Sequence, residues 1–151
     1  MEKKYSEFLK LIFRRTVIAF LLSSIISYLL HLINPIEYNG FSSENAWIEI
    51  FVAFIFAPLI ETVIFFFLTY KIINAINFLK YKKNLYILFS SITFGLSHYY
   101  NINYIIETSI TGLFMADLFY TLEKKSRFGF TGVFLMHGIY NIFVFILNLL
   151  L

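Results

Sequence analysis

The chain has 151 residues, 60% hydrophobic and only 14% charged. An ordinary soluble domain carries about 25% charged residues, so this composition excludes one and indicates a membrane protein. The formal charge is +3, but the Lys and Arg residues stand in clusters between apolar runs and form no basic face, so no nucleic-acid partner is expected. With no cysteine, disulfides, thiolate metal sites and cysteine nucleophiles are excluded.

The expected fold is an all-α, polytopic helix bundle of about five transmembrane helices, because a crossing takes roughly 20 residues. Leu11 to Ile33 is the first span, reached from Lys3, Lys4, Lys10, Arg14 and Arg15. No Ala-x-Ala-like site follows it, so it is read as a retained span and not a signal peptide. Pro35, Glu37, Asn39, Gly40 and Glu44 then form a polar loop without Lys or Arg. Ala46 to Tyr70 is the second span, ending at Lys71, Lys80, Lys82 and Lys83. Asn84 to about Tyr100 is a shorter third, Tyr104 to Leu122 a fourth ending at Lys124, Lys125 and Arg127, and Phe128 to Leu151 a fifth. The positive-inside rule then places the amino terminus and all three basic clusters in the cytoplasm, and the first loop and carboxyl terminus outside. A multi-pass protein of the cell membrane is expected. The richness in Ile, Phe, Lys, Asn and Tyr points to a bacterial cytoplasmic membrane.

Aromatic residues support the boundaries, since Trp and Tyr favour the interfaces. Tyr38, Trp47, Tyr99, Tyr100 and Tyr104 fall at the outer one, and Tyr70, Tyr81, Tyr86 and Tyr120 at the inner one; Tyr140 does not fit. The runs are long and lack dyad alternation, so they are helices rather than barrel strands. Residues 1–45 form a basic segment, first helix and external loop, and residues 46–151 a core.

An ionisable side chain in the bilayer interior costs at least about 2.5 kcal/mol on insertion scales, so each needs a reason. Glu61, His98, Glu107, Asp117 and His137 are such residues. His137 and Asn141 lie one turn apart on one face of the fifth span, near Gly132 and Gly138, which admit another helix. Either residue alone is more readily read as interhelical hydrogen-bond glue. Phe94 and His98 are a turn apart beside Gly95. Pro58 removes a backbone donor one turn before Glu61, leaving a carbonyl and space near the carboxylate. Carboxylate and imidazole together are what activating a water requires. His31, near water at the end of the first span, is assigned no chemistry. Glu107 and Asp117 admit a proton or cation path, or a simpler reading as interfacial acids, with Lys124 within reach of Asp117.

Pro58-x-x-Glu61, Phe94-x-x-x-His98, Gly112 and His137-x-x-x-Asn141, in this order inside apolar helices, resemble the CPBP (Abi) family of intramembrane proteases. That family includes CAAX prenyl protease 2-like and bacteriocin-processing members. The resemblance covers roughly residues 46–147. It implies hydrolysis of membrane-associated substrates, either prenylated CAAX-like proteins or leader peptides, with Glu61, His98, His137 and Asn141 as the catalytic set. Two versions stay open: a water activated by Glu61 with His98, its oxyanion held by His137 and Asn141, or a metal ion, zinc being the candidate, on His98 and His137 with Glu61. Family members usually carry Glu-Glu-x-x-x-Arg in the first motif. Here Thr62 and Phe66 replace the second glutamate and the arginine, which would support the first glutamate. The alternative functions are an inactive relative acting in bacteriocin immunity or as an adaptor, and, behind it, a small transporter.

Overall fold

A computed structural model describes residues 2–35 and 46–150, which are mostly helical with no strand among them. Tyr38, Glu37, Asn39, Gly40 and Glu44 of the expected external loop lie outside the described residues. The elements are α1 (Glu2–Ile33), α2 (Ala46–Phe51), α3 (Ala57–Glu61), α4 (Thr69–Ala75), α5 (Lys82–Leu96), α6 (Ile102–Ser126) and α7 (Gly129–Leu150). Two π-helical stretches, Val52–Phe56 and Thr62–Leu68, join α2 to α3 and α3 to α4.

The second expected span is thus one helical run with a wider winding on each side of α3, continuing five residues past Tyr70. Among the described residues, four helical stretches are long and apolar enough to cross a membrane: Tyr5–Ile33, Val52–Ala75, Ile102–Ser126 and Gly129–Leu147. The fifth long helix, α5, has 15 residues, about 22 Å at 1.5 Å per residue, against a hydrocarbon core of about 30 Å. It stops at Leu96, so His98 belongs to the turn after the helix.

α6 is the hub, packing on α1, α5 and α7. Its approach to α5 depends on small residues. A Cβ on Gly95 would run into the Ser109 hydroxyl and stand 2.8 Å from the Ile105 carbonyl, and one on Gly112 would stand 3.0 Å from Ser91 Cα. Without a hydrophobic drive between helices in lipid, such close backbone packing is what holds them. Gly95→Ala is expected to lower thermal stability in detergent by about 1–3 kcal/mol, because the helices must part. Gly138→Ala, whose Cβ meets only the Phe54 carbonyl at 3.1 Å, costs less. The reverse order in a melting assay would remove the close α5–α6 contact as a determinant of the fold.

α1 presents Ile12, Thr16, Ala19 and Ser23, all buried, along one helical face to α6 and α7. Its opposite side exposes Leu21, Ile25 and Leu32, as a lipid-facing surface requires. The helix ends are tied down by amides and a carboxylate. Asn103 donates to the carbonyls of Asn34 (3.0 Å) and Leu30 (3.4 Å) at the end of α1. Asn101 accepts from the Tyr104 N–H (2.8 Å) at the start of α6. At the α6–α7 corner Arg127 takes a left-handed conformation (φ 63°), and Glu123 Oε2 accepts from the Gly129 N–H at 3.2 Å.

The three basic clusters meet at one end of the bundle. Asp117 Oδ2 lies 2.9 Å from Arg15 Nη1, and Oδ1 lies 3.0 Å from Lys83 Nζ, so one acid on α6 joins α1 and α5. The expected partner Lys124 is elsewhere: its ammonium sits over the Tyr70 and Tyr120 rings, 6.0 and 5.6 Å from their centroids. Paired with two cations, Asp117 is a fastener and not a station on an ion path. This is the end that the positive-inside rule predicts to be cytoplasmic. Trp47, Tyr81, Tyr99 and Tyr100 are exposed, as interfacial residues are, but Tyr70 and Tyr86 are buried. They share an aromatic cluster with Phe119, because at this level α4, α5 and α6 close over them.

Candidate active site

The four expected residues come from three parts of the chain: Glu61 from the end of α3, His98 from the turn after α5, and His137 and Asn141 from α7. Glu61 lies between the imidazoles. Its Oε2 is 3.4 Å from His137 Nε2, and its Oε1 is 4.0 Å from His98 Nε2. His98, His137 and Asn141 also line one small cavity of about 30 Å³, together with Phe94, Tyr104, Thr108, Thr111, Met115 and Tyr140. A cavity that size holds a water molecule. Glu61 does not line it, but both imidazoles next to its carboxylate do. His31 takes no part and is exposed in the last turn of α1.

Local backbone chemistry sets each side chain. In the first π stretch the Ala57 N–H reaches back five residues to the Val52 carbonyl. The next carbonyl in that register, Ala53, would need an N–H from position 58, which is proline. Asn141 Nδ2 supplies it at 2.7 Å, and Gly138 leaves room beside the Phe54 carbonyl. The proline gap thus fixes where α7 docks and places His137 opposite Glu61. One N–H of Asn141 is used in this bond; the other and Oδ1 stay available to the cavity.

His98 is set by a helix end. As α5 stops, Ser97 N bonds Thr93 O and His98 N bonds Gly95 O, so the Phe94 carbonyl between them loses its backbone donor. His98 Nδ1 meets it at 2.8 Å and Ser97 Oγ at 2.7 Å. A carbonyl only accepts, so the proton is on Nδ1, and Nε2 turns a lone pair toward Glu61. The Phe94 ring underlies both histidines, 4.7 Å from His98 and 5.5 Å from His137 between centroids. His137 is buried, and its Nδ1 has no hydrogen-bond partner. An unmet acceptor is better tolerated than an unmet donor, which assigns its proton to Nε2, facing the carboxylate.

The departures from the first motif are packed over. Phe66 is fully buried and lies 5.5 Å from Phe94, centroid to centroid. Thr62 is fully buried as well, with its hydroxyl unpartnered. An apolar floor under the imidazoles therefore occupies the space of an acid and a base. Glu107 does not line the cavity and is hydrogen-bonded to Ser27 of α1.

A tetrahedral zinc with ligands at about 2.0–2.2 Å sets donor atoms about 3.3–3.6 Å apart. The His137 edge of the carboxylate fits this and the 4.0 Å His98 edge does not. Among the described residues, no group of three His, Cys, Asp or Glu side chains is gathered to hold a metal ion.

Sequence reading missed the hydroxyl-bearing residues of this cavity. Tyr140, out of place as an interfacial aromatic, is buried with its hydroxyl 2.6 Å from Ser23 Oγ and 3.3 Å from Thr111 Oγ1. The available signal was the spacing of Thr16, Ala19 and Ser23, a small-residue face on α1 that admits a close neighbour.

No curated protein and no solved structure matches the chain. A family model described as type II CAAX prenyl endopeptidase Rce1-like matches residues 42–143, a segment that contains Glu61, His98, His137 and Asn141. A polytopic helical bundle of this kind, matched by that model over more than half its length, belongs to the Rce1-like family of type II CAAX prenyl endopeptidases.

Proposed function

We propose that the chain is an intramembrane endopeptidase whose Glu61 activates a water to hydrolyse a peptide bond in a membrane-associated substrate, a prenylated CAAX-like protein or a leader peptide, in a bacterial cytoplasmic membrane. Residues 46–151 are its catalytic core. The observation that carries the reading is one carboxylate between two imidazole Nε2 atoms at 3.4 and 4.0 Å, next to a cavity large enough for water.

The bare Nε2 of His98 accepts a hydrogen bond from the water and orients it, and Glu61 takes the proton as the water oxygen bonds to the scissile carbonyl carbon. The oxyanion is met by donors on α7, the second N–H of Asn141 and, once Glu61 has taken the proton and no longer draws it, the Nε2–H of His137. The proton on Glu61 then passes to the amide nitrogen as the C–N bond breaks, releasing an amine and a carboxylic acid. No step needs a metal ion, which accords with the 4.0 Å His98 edge.

His98→Ala and His137→Ala are each expected to cut turnover of a membrane-anchored peptide by about 10²-fold, with the double variant little worse than either, because groups that act on one water fail together. Liposome-reconstituted protein with products identified by mass spectrometry provides the measurement. Multiplying losses, or activity abolished by a chelator and restored by zinc, would argue against a single metal-free site.

A further inference from the structure

We propose that Tyr140 is a further catalytic residue of this hydrolysis, donating its phenolic hydrogen to the oxyanion, and that Ser23 of α1 positions it; the proposal rests on the hydrolytic reading above. Tyr140 and Thr111 both line the cavity that His98, His137 and Asn141 share. Their hydroxyls are 3.3 Å apart, so this polar pair stands at the cavity wall. Behind it the Tyr140 hydroxyl meets Ser23 Oγ at 2.6 Å, and the ring packs edge-on against Phe20, also on α1, at 6.0 Å.

Over the hydroxyls of Ser23, Tyr140 and Thr111 and the carbonyls they reach, the hydrogens can be arranged in at least two ways. In one, Ser23 donates to the Phe20 carbonyl (3.1 Å), Tyr140 donates to Ser23, and Thr111 donates to Tyr140. In the other, Ser23 donates to Tyr140, Thr111 donates to the Glu107 carbonyl (3.2 Å), and the phenolic hydrogen is no longer given to Ser23, so it can turn to an acceptor in the cavity. Only hydroxyl rotations separate them. Negative charge developing in the cavity favours the second arrangement, so the donor is supplied in the transition state with no side chain moving. One N–H of Asn141 is tied to Ala53, which makes a second donor beside it useful. Ser23 lies outside the segment that the family model matches, residues 42–143, so α1 becomes part of the site and more than an anchor.

The test uses the whole protein in liposomes with a membrane-anchored peptide, comparing wild type, Glu61→Gln, Tyr140→Phe and Ser23→Ala. Tyr140→Phe keeps the ring packing and is expected to lower kcat about 10²-fold with KM within about twofold, as for loss of one oxyanion donor. Ser23→Ala is expected to lower kcat about tenfold with KM likewise unchanged, whereas a purely structural role would lower the melting temperature and the active fraction without a kcat-specific loss per folded molecule. A wild type that cleaves with Glu61→Gln silent and Tyr140→Phe unimpaired overturns this proposal alone. A wild type that cleaves nothing overturns the hydrolytic reading and this proposal together.

Discussion

Glu61→Gln is expected to reduce cleavage of a membrane-anchored or prenylated peptide by about 10³-fold or more, with membrane insertion and purified yield unchanged. Glutamine has the size and shape of glutamate but cannot take a proton from water, and a positioned general base contributes roughly 10²–10⁴-fold. The fold should tolerate the change. Glu61 is held by two imidazole edges at 3.4 and 4.0 Å rather than by a short ion pair, and a neutral side chain lowers the cost of a charge in the bilayer interior. Thermal unfolding of the two proteins in the same detergent checks the second point, and turnover in liposomes the first. Full activity in the glutamine variant would remove Glu61 as the base, and parallel losses of activity and melting temperature would make it a structural residue.

The clustering of Lys and Arg between apolar runs was enough to read the number and order of the long helices, because lipid leaves the backbone little choice but helix. The breaks were only partly legible. Pro58 announced a disturbed second span, but which neighbour would meet the freed carbonyl depended on α7 lying across it, a contact between Ala53 and Asn141 separated by 88 residues. The end of α5 at Leu96 was similarly hidden. Gly95 and Ser97 are ambiguous in an apolar run, and only the tertiary turn shows that His98 acts as the cap of its own helix.

The three catalytic candidates with charge or imidazole stood out because such groups are expensive in lipid. Tyr140 stood out only as a tyrosine that fits neither interface, which names no role for it, and the hydroxyl partners that show its place come from α1 and α6. Asp117 shows the same limit in the other direction. Its cost demanded a cation, but Lys124, seven residues along the same helix, was nearer in sequence than Arg15 and Lys83, the two that reach it. Sequence distance predicts contact along a helix and says little about contact between helices.

Phe66→Arg, which installs the arginine usual in the family's first motif, is expected to destabilise the protein by about 3–5 kcal/mol, seen as a fall in melting temperature and in folded yield. The reason is that an unpaired charge would be buried without a built partner. Phe66 is fully buried, and the Phe94 ring it touches at 5.5 Å also carries both histidines. A guanidinium there brings five N–H donors into an aromatic floor, with the Thr62 hydroxyl as a small polar neighbour one turn back. Thr62→Glu with Phe66→Arg supplies the missing carboxylate four residues away, and this double variant is expected to recover much of the loss, with a coupling of about 1–3 kcal/mol between the two positions. Such coupling would mean that Thr62 and Phe66 replaced the motif's acid and base as a unit, so that an apolar floor does by packing what the ion pair does by charge: it holds Phe94, and through Phe94 the two imidazoles, under Glu61. Additive effects would instead mean that each position packs independently, and that the imidazoles owe their placement to the Phe94 carbonyl and the Asn141–Ala53 bond alone.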